Sequence, residues 1–127
     1  MDNQQSANGA HVPSKVFSII LRPGFPEWSI VDLDLERLFQ GTPDIDCTEV
    51  ANACEGMGLN FFRAHKTADF LKNSNEVWAP MLEFDGRRIN VHDGRTRLSL
   101  FYGTYQYKRL RVAVLADQSE WFTAHFG

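Results

Sequence analysis

The stretch 76–92 restricts the fold of this chain more than any other segment. It contains two runs of β-branched, aromatic and other apolar residues, and Asp85 and Gly86 stand between them. Asp and Gly tolerate the positive φ angles that tight hairpin turns require, so the pattern predicts two antiparallel strands joined by this turn. Pro80 has no backbone N–H for a strand ladder, and we therefore expect the first strand at a sheet edge or at a bulge.

Periodicity and turn residues divide the rest of the chain into further elements. The β-branched run 16–21 stops at Pro23 and Gly24 and predicts a strand in the centre of a sheet. Residues 108–115 alternate as a strand buried on one face does. The aromatic tail 119–127 is expected to pack back on the body. The other predicted elements are a strand at 29–33 and helices at 34–39, 46–57, 66–72 and 94–102, the last ended by Gly103.

Length and composition indicate one folded domain. A chain of 127 residues is long enough for one core but not for two. Ten Phe, three Trp and 43% apolar residues favour a packed globule. We therefore predict a single α+β domain at 15–127, with helices packed on a small mixed sheet. Residues 1–14 are polar and lack periodicity, and we predict that they are disordered.

No segment has the composition of a membrane span or of a structural zinc site. No apolar run approaches the roughly 18 to 20 residues of a membrane helix, and the N-terminus lacks the apolar centre of a secretory signal. This predicts a cytoplasmic protein with no membrane partner. Cys47 and Cys54 are about 10 Å apart along one predicted helix, so we interpret them as buried thiols rather than a disulfide. The chain has four scattered His and no CxxC pair, and we therefore do not expect a structural zinc site.

Basic residues concentrate in the segment 87–111. It contains seven Lys and Arg against the single acid Asp93, a net charge of +6, whereas the remaining residues hold six basic and fifteen acidic groups, a net charge of −9. The overall charge of −3 argues against broad binding to duplex DNA, which depends on many neutralised phosphates. A local basic patch still attracts an anion, because charges close to a ligand dominate its energy.

The centre of this basic segment, residues 92–97, reads as a strand end, a glycine turn and a helix start. If His92 or Asp93 caps the helix, the N–H groups of residues 94–96 lack carbonyl partners and point outward together, which suits an anion. Glycine admits an oxygen close to the backbone, threonine adds a hydroxyl donor, and arginine binds two oxygens at once. The predicted phosphate-contacting residues are Gly94, Arg95, Thr96 and Arg97.

A purely structural interpretation explains the same residues. Asp93 then caps the helix, Gly94 relieves the turn, and the arginines pair with surplus acids such as Asp32, Asp34 or Glu36. The sequence leaves both interpretations open.

Two neighbouring residues are candidates for catalysis. His92 is a candidate general base, because imidazole titrates near neutral pH. Asp93 would repel a phosphate unless an arginine or a divalent ion such as Mg²⁺ offsets its charge. Trp78 and Phe84 can stack a base, although a core position is the commoner role for such rings.

Over the stretches 89–103 and 110–114 the chain resembles the ParB/sulfiredoxin superfamily. Members carry an extended segment, a motif of the form DGRHR or GERR, a helix ending in glycine and a final strand. The matching motif here is Asp93-Gly94-Arg95-Thr96-Arg97, and residues 29–33 are similar to the stretch before the family's first helix. The superfamily includes CTP-binding partition proteins, nucleases, a free-serine kinase and sulfinic-acid reductases. The resemblance implies a small α/β fold with a phosphate or nucleotide, such as a nucleoside triphosphate, held by Gly94, Arg95, Thr96 and Arg97.

Two departures from the family pattern restrict the implied activity. Arg95 stands where sulfiredoxin has its catalytic cysteine, which argues against thiol repair. Thr96 stands where many relatives have histidine, which removes a proton-transfer group and weakens a kinase or nuclease assignment. No helix-turn-helix follows the matched residues, so plasmid segregation in the full sense is not expected.

Three functions stay open at this point. The first is a stand-alone ParB/sulfiredoxin-like domain that binds a nucleotide or nucleic-acid phosphate at Gly94 to Arg97, with Arg88, Arg109 and Arg111 as a basic rim. The second is a non-catalytic interaction or inhibitor protein, of plasmid or phage type, that meets a protein partner through its acidic surface. The third is a metal-assisted nuclease or phosphotransferase that uses His92 and Asp93.

Overall fold

The computed structural model describes residues 17–41, 45–46 and 61–127, and within them the predicted α+β class is confirmed. The predicted helix 46–57, both cysteines and the segment 1–14 lie outside the described residues, apart from Asp46, which lies in a short strand. The strands are β1 Ser18–Ile20, β2 Trp28–Asp34, β3 Ile45–Asp46, β4 Glu76–Trp78, β5 Met81–Phe84, β6 Ile89–Asp93 and β7 Arg109–Leu115; the α-helices are α1 Leu35–Gly41, α2 Phe61–Asn73, α3 Arg95–Ser99 and α4 Ser119–Phe126.

Five of these strands form one mixed sheet in the order β2-β7-β5-β6-β3. β2 runs antiparallel to β7 and β5 antiparallel to β6, while β5 pairs in parallel with β7 and β3 in parallel with β6. β1 and β4 form a separate parallel pair. A turn of π-helix, Leu100–Thr104, continues α3, and a 3₁₀ turn, Ala116–Gln118, leads into α4.

The predicted hairpin across Asp85 and Gly86 is present, with β5 and β6 as its strands. The Asp85 carboxylate accepts the backbone N–H groups of Arg87 and Arg88, both at 2.9 Å. It also accepts the side-chain amide of Asn90 at 3.0 Å. These hydrogen bonds lower the pKa of Asp85 to about 2, because they favour the charged carboxylate. The Asp85 carboxylate, which the sequence pattern placed in the turn, therefore stabilises the hairpin loop.

The run before this turn is not one strand, as the sequence pattern predicted, but two. β4 pairs with β1 in the small sheet, whereas β5 lies at the centre of the large one. Pro80 lies between them, and a register shift follows at Met81 and Leu82. The Pro80 carbonyl accepts the N–H of Ala113 at 2.8 Å. The chain thus changes sheets at the one residue of the run that cannot donate to a ladder.

Three other sequence predictions need correction. The strand predicted at 16–21 lies in the small sheet rather than in the centre of the large one, because exposed Ser18 between buried Phe17 and Ile19 suits a strand covered on one face. The helix predicted at 66–72 begins at Phe61. The segment predicted to be helical to Tyr102 changes to a π turn at Leu100 and passes through Gly103, ending at Thr104.

The core joins buried side chains of the large sheet to those of α1, α3 and α4, among them Leu33, Leu38, Leu98, Val112 and Phe122. β7 alternates as predicted from Arg109 to Val112, and Ala113 is buried as well, so the strand is covered on both faces at that point. The predicted packing of the tail is confirmed, since Phe122 and Phe126 of α4 are buried in the core. Gln118, just after β7, donates to the Phe84 carbonyl (2.8 Å) and accepts its N–H (3.0 Å). Its side chain thereby continues the β5 ladder where β7 ends.

Candidate functional site

The glycine turn between β6 and α3 is built around the left-handed backbone of Gly94. Gly94 has φ 84° and ψ 24° and is the N-cap of α3, so the cap is Gly94 and not Asp93 or His92. A Cβ at this position would lie 2.9 Å from the Pro80 Cα and 2.7 Å from Arg97 Nη2. Glycine is required here for its backbone angles and for the space around it.

The start of α3 leaves backbone N–H groups without partners inside the helix. Leu98 makes the first helical bond, donating to the Gly94 carbonyl at 2.8 Å. The N–H groups of Arg95, Thr96 and Arg97 precede it and so have no partner within the helix. Among the described residues, no side chain caps this helix. The amide groups that could meet an anion are therefore those of residues 95–97, one position later than the sequence predicted.

Arg97 is held in place by two acceptors. Its Nε donates to the Trp78 carbonyl at 3.1 Å, and its Nη2 donates to Asp93 Oδ2 at 3.3 Å. Asp93 Oδ2 also lies 3.4 Å from Arg22 Nη1. The carboxylate that would repel a phosphate is thus compensated by two guanidinium groups, and the three side chains together carry a net charge of +1.

Arg95 and Thr96 follow Gly94 and differ in burial, since Arg95 is half-buried and Thr96 is buried. Arg95 Nη2 donates to the Val91 carbonyl at 3.4 Å, and its own carbonyl accepts the Ser99 hydroxyl at 2.9 Å. Thr96 is only 9% exposed. Thr96 therefore presents little surface to a ligand, and Arg95 is directed back along β6.

A cleft of about 340 Å³ opens at this turn. The structure brings all six predicted site residues to it, together with Thr67 and Val91, which the sequence analysis did not select as site residues. Its lining consists of Thr67, Val91, His92, Asp93, Gly94, Arg95, Thr96 and Arg97. Thr67 comes from α2, and Arg22, which contacts Asp93, comes from the loop after β1. Neither position carries a local signal, because only the tertiary fold brings these distant segments to the turn.

The two candidate catalytic side chains make contacts with separate groups. The His92 ring contacts the Glu83 carboxylate and meets the Trp28 ring edge to face at 5.6 Å. Asp93, in contrast, contacts Arg22 and Arg97. Successive side chains of a strand point to opposite faces, and these contacts follow that rule. His92 and Asp93 are adjacent in sequence but do not form a hydrogen-bonded pair in which one activates the other.

The predicted basic rim does not close around the cleft. Arg109 pairs with Asp32, with Nε and Oδ1 3.3 Å apart and both side chains about half exposed. Asp32 is one of the acids that the structural interpretation named. Within the described part of the chain, the cleft lining includes neither Arg88, Arg109 nor Arg111. The cationic groups at the turn are therefore Arg22, Arg95 and Arg97.

The two candidate stacking rings have different surroundings. Phe84 stacks on Trp121, with ring centroids 4.1 Å apart and planes inclined by 10°, and so belongs to the packing of α4. Trp78 is 42% exposed, and the Arg22 guanidinium lies 4.8 Å from its ring centroid. Of the two, Trp78 has an exposed face and lies next to the turn.

The turn carries more positive than negative side chains, since Arg22, Arg95 and Arg97 stand against Asp93. Within residues 17–41, 45–46 and 61–127, no three His, Cys, Asp or Glu side chains gather as metal ligands. Helices long and apolar enough to cross a bilayer are likewise not found in these ranges.

Comparisons of the chain with protein-family models, with curated proteins and with solved structures find no match.

Proposed function

We propose that this chain binds the phosphate of a nucleotide or nucleic acid at the turn formed by Asp93 to Arg97. The observation that carries the proposal is the compensation of Asp93, which lines the 340 Å³ cleft, by Arg22 and Arg97. With Arg95 included, the three guanidinium groups and one carboxylate leave a net charge of +2. A dianionic phosphate matches that charge, and arginine can bind two of its oxygens.

Binding would need only a small rearrangement. The contacts of Asp93 with Arg97 and Arg22 are 3.3 and 3.4 Å long, longer than the roughly 2.7–2.9 Å of a strong charge-assisted hydrogen bond. A phosphate oxygen can therefore take the place of Asp93 on Arg97 Nη2, while Arg97 Nε stays bonded to the Trp78 carbonyl. Asp93 retains Arg22 as its partner, and the N–H groups of residues 95–97 face the bound oxygen.

The order of elements around the turn supports a ParB/sulfiredoxin-like domain as the setting of this function. That resemblance implies a strand, a glycine turn, a helix that ends in glycine and a final strand. β6, Gly94, α3 with its π turn, and β7 follow one another in this order, although the π turn passes through Gly103 and ends at Thr104. We propose such a domain, acting in the cytoplasm, with a nucleoside triphosphate or an oligonucleotide as the ligand.

The test is thermal unfolding with inorganic phosphate, nucleoside triphosphates or short oligonucleotides, each with and without Mg²⁺. A ligand at a hundred times its dissociation constant stabilises the folded state by about 2.7 kcal/mol. We expect Arg97→Ala to remove this stabilisation. The matched control is Arg109→Ala, which removes an arginine that pairs with Asp32 away from the cleft.

Two results would contradict the proposal. One is an equal stabilisation of the Arg97→Ala variant and the unchanged chain by the same ligand. The other is the absence of stabilisation by every phosphate compound, which would favour a protein partner bound through the acidic surface.

A further inference from the structure

A second cleft adjoins the glycine turn. It has a volume of about 530 Å³ and lies between α2 and β4. It shares Thr67 and Arg97 with the turn cleft, so the two clefts are neighbours across one arginine. Its lining residues are Lys66, Thr67, Phe70, Glu76, Trp78 and Arg97.

Two aromatic side chains of this second cleft are unusually exposed. Phe70 is 51% and Trp78 is 42% exposed, and they are the two exposed large apolar side chains among the described residues. Phe70 is followed by buried Leu71, and Trp78 is preceded by buried Val77. α2 and β4 are therefore packed against the core on their other sides. A single exposed apolar side chain is normal, whereas two that line the same cleft indicate a binding surface.

The charges around the two rings define the chemistry of an occupant. Arg22 lies over the Trp78 ring, and Lys66 and Arg97 line the same cleft. Glu76 is the one acid of this lining. Aromatic faces within a cationic border complement a ligand that alternates flat rings with negative charges. Single-stranded nucleic acid has that composition, and its bases stack on exposed aromatic side chains.

We infer that a single-stranded nucleic acid lies across the two clefts. One phosphate contacts Arg97 at the glycine turn, and the adjacent base stacks in the cleft formed by Phe70 and Trp78. Lys66 and Arg22 contact the backbone on either side. This inference rests on the proposed phosphate site and adds the ligand class. Two exposed rings and two adjoining clefts with cationic groups suit a continuous strand.

The test is fluorescence anisotropy of a dye-labelled oligothymidylate. Its dissociation constant is compared with those of an abasic strand with the same number of phosphates, a duplex of the same length, and thymidine triphosphate as a competitor. Stacking of a single base changes affinity by roughly tenfold. We expect the oligothymidylate to bind about tenfold more tightly than the abasic strand. Phe70→Ala and Trp78→Ala should each abolish that difference.

Phe70→Tyr and Phe70→Leu serve as matched controls, because the first keeps the ring and the second keeps only the apolar character. Binding should be retained in the tyrosine variant and weakened in the leucine variant. Far-UV circular dichroism and thermal unfolding without ligand establish that each variant is folded. Phe70 is half exposed, so its substitutions leave the core intact.

The outcomes separate this inference from the proposed phosphate site. Equal affinity for the normal and abasic strands, unchanged by Phe70→Ala and Trp78→Ala but lost in Arg97→Ala, overturns the base cleft and leaves the phosphate site in place. Unchanged affinity in Arg97→Ala overturns the phosphate site. Equal or tighter binding of the duplex or of thymidine triphosphate, or no binding of any probe, overturns the inference.

Discussion

The tripeptide Asp-Gly-Arg occurs twice in this chain, at residues 85–87 and 93–95, and the two copies are used differently. At the first, the Asp85 carboxylate turns back to the N–H groups of its own loop. At the second, the Asp93 carboxylate points to the guanidinium groups of Arg22 and Arg97. The first copy satisfies its own backbone, and the second leaves the helix start without a side-chain cap.

The glycines of the two copies differ in the same way. Both have positive φ, 99° at Gly86 and 84° at Gly94. A Cβ at Gly86 would meet nothing within 4 Å, whereas at Gly94 it would approach the Pro80 backbone to 2.9 Å. The comparison shows that a short motif fixes a turn but not its purpose. The residues that the fold brings to the turn from distant parts of the chain decide what the turn can bind.

The largest expected effect comes from the two glycines. A left-handed backbone costs a non-glycine residue about 1–2 kcal/mol, and Gly86→Ala should lower the free energy of unfolding by about that amount. Gly94→Ala adds a backbone contact at Pro80, and overpacking typically costs about 1–3 kcal/mol more. Urea denaturation of both variants measures the difference. Equal losses would show that the Pro80 contact relaxes without cost.

The next largest effect is the pH dependence that Asp85 gives to stability. The pKa of Asp85 is lowered to about 2 from 3.8. A lowered pKa means that the carboxylate stabilises the fold fully above pH 3.8 and that this stabilisation is lost as the pH falls toward 2. We expect Asp85→Asn to have a lower Tm at neutral pH and a shallower fall of Tm between pH 4 and 2. Parallel Tm curves for the variant and the unchanged chain would contradict this role.

A third prediction concerns phosphate affinity. Asp93→Asn removes the negative charge beside the turn and frees Arg97 from its carboxylate partner. The Arg97 and Asp93 side chains are 19% and 28% exposed. If breaking their pair returns about 1 kcal/mol, the upper value for exposed ion pairs, phosphate binding should tighten by about fivefold. Asp85→Asn, in the other copy of the tripeptide, should leave the affinity unchanged. Isothermal titration with the best ligand of the thermal panel measures both, and weaker binding in Asp93→Asn would mean that Asp93 orients Arg97 for the ligand.

The smallest effect is expected at Arg109. Its pair with Asp32 is about half exposed on both sides, and solvent screens such pairs. Arg109→Ala should change the free energy of unfolding by less than about 0.5 kcal/mol and should not change phosphate affinity. A loss of affinity in this variant would place the basic rim in the binding surface after all.

The elements that the sequence predicted best are those defined by neighbouring residues. The turn at Asp85 and Gly86, the strand and helix around Asp34, and the alternation of β7 depend on contacts within a few positions. Asp34 illustrates this, since its carboxylate accepts the N–H of Arg37 at the start of α1 at 2.9 Å. The errors fall where pairing partners are distant. Pro80 predicted a sheet edge or a bulge, but only the pairing of β4 with β1 shows that the chain changes sheets there.

The sequence by itself determined that residues 92–97 form a glycine turn rich in guanidinium groups, because left-handed backbone angles and local charge are properties of neighbouring residues. Only the tertiary structure decided which groups meet there. It brings Arg22 to Asp93, directs Arg109 to Asp32, and places Phe70 and Trp78 beside Arg97. The physical reason is that packing of the sheets and helices, and not proximity in the chain, sets the distances over which charges and rings interact.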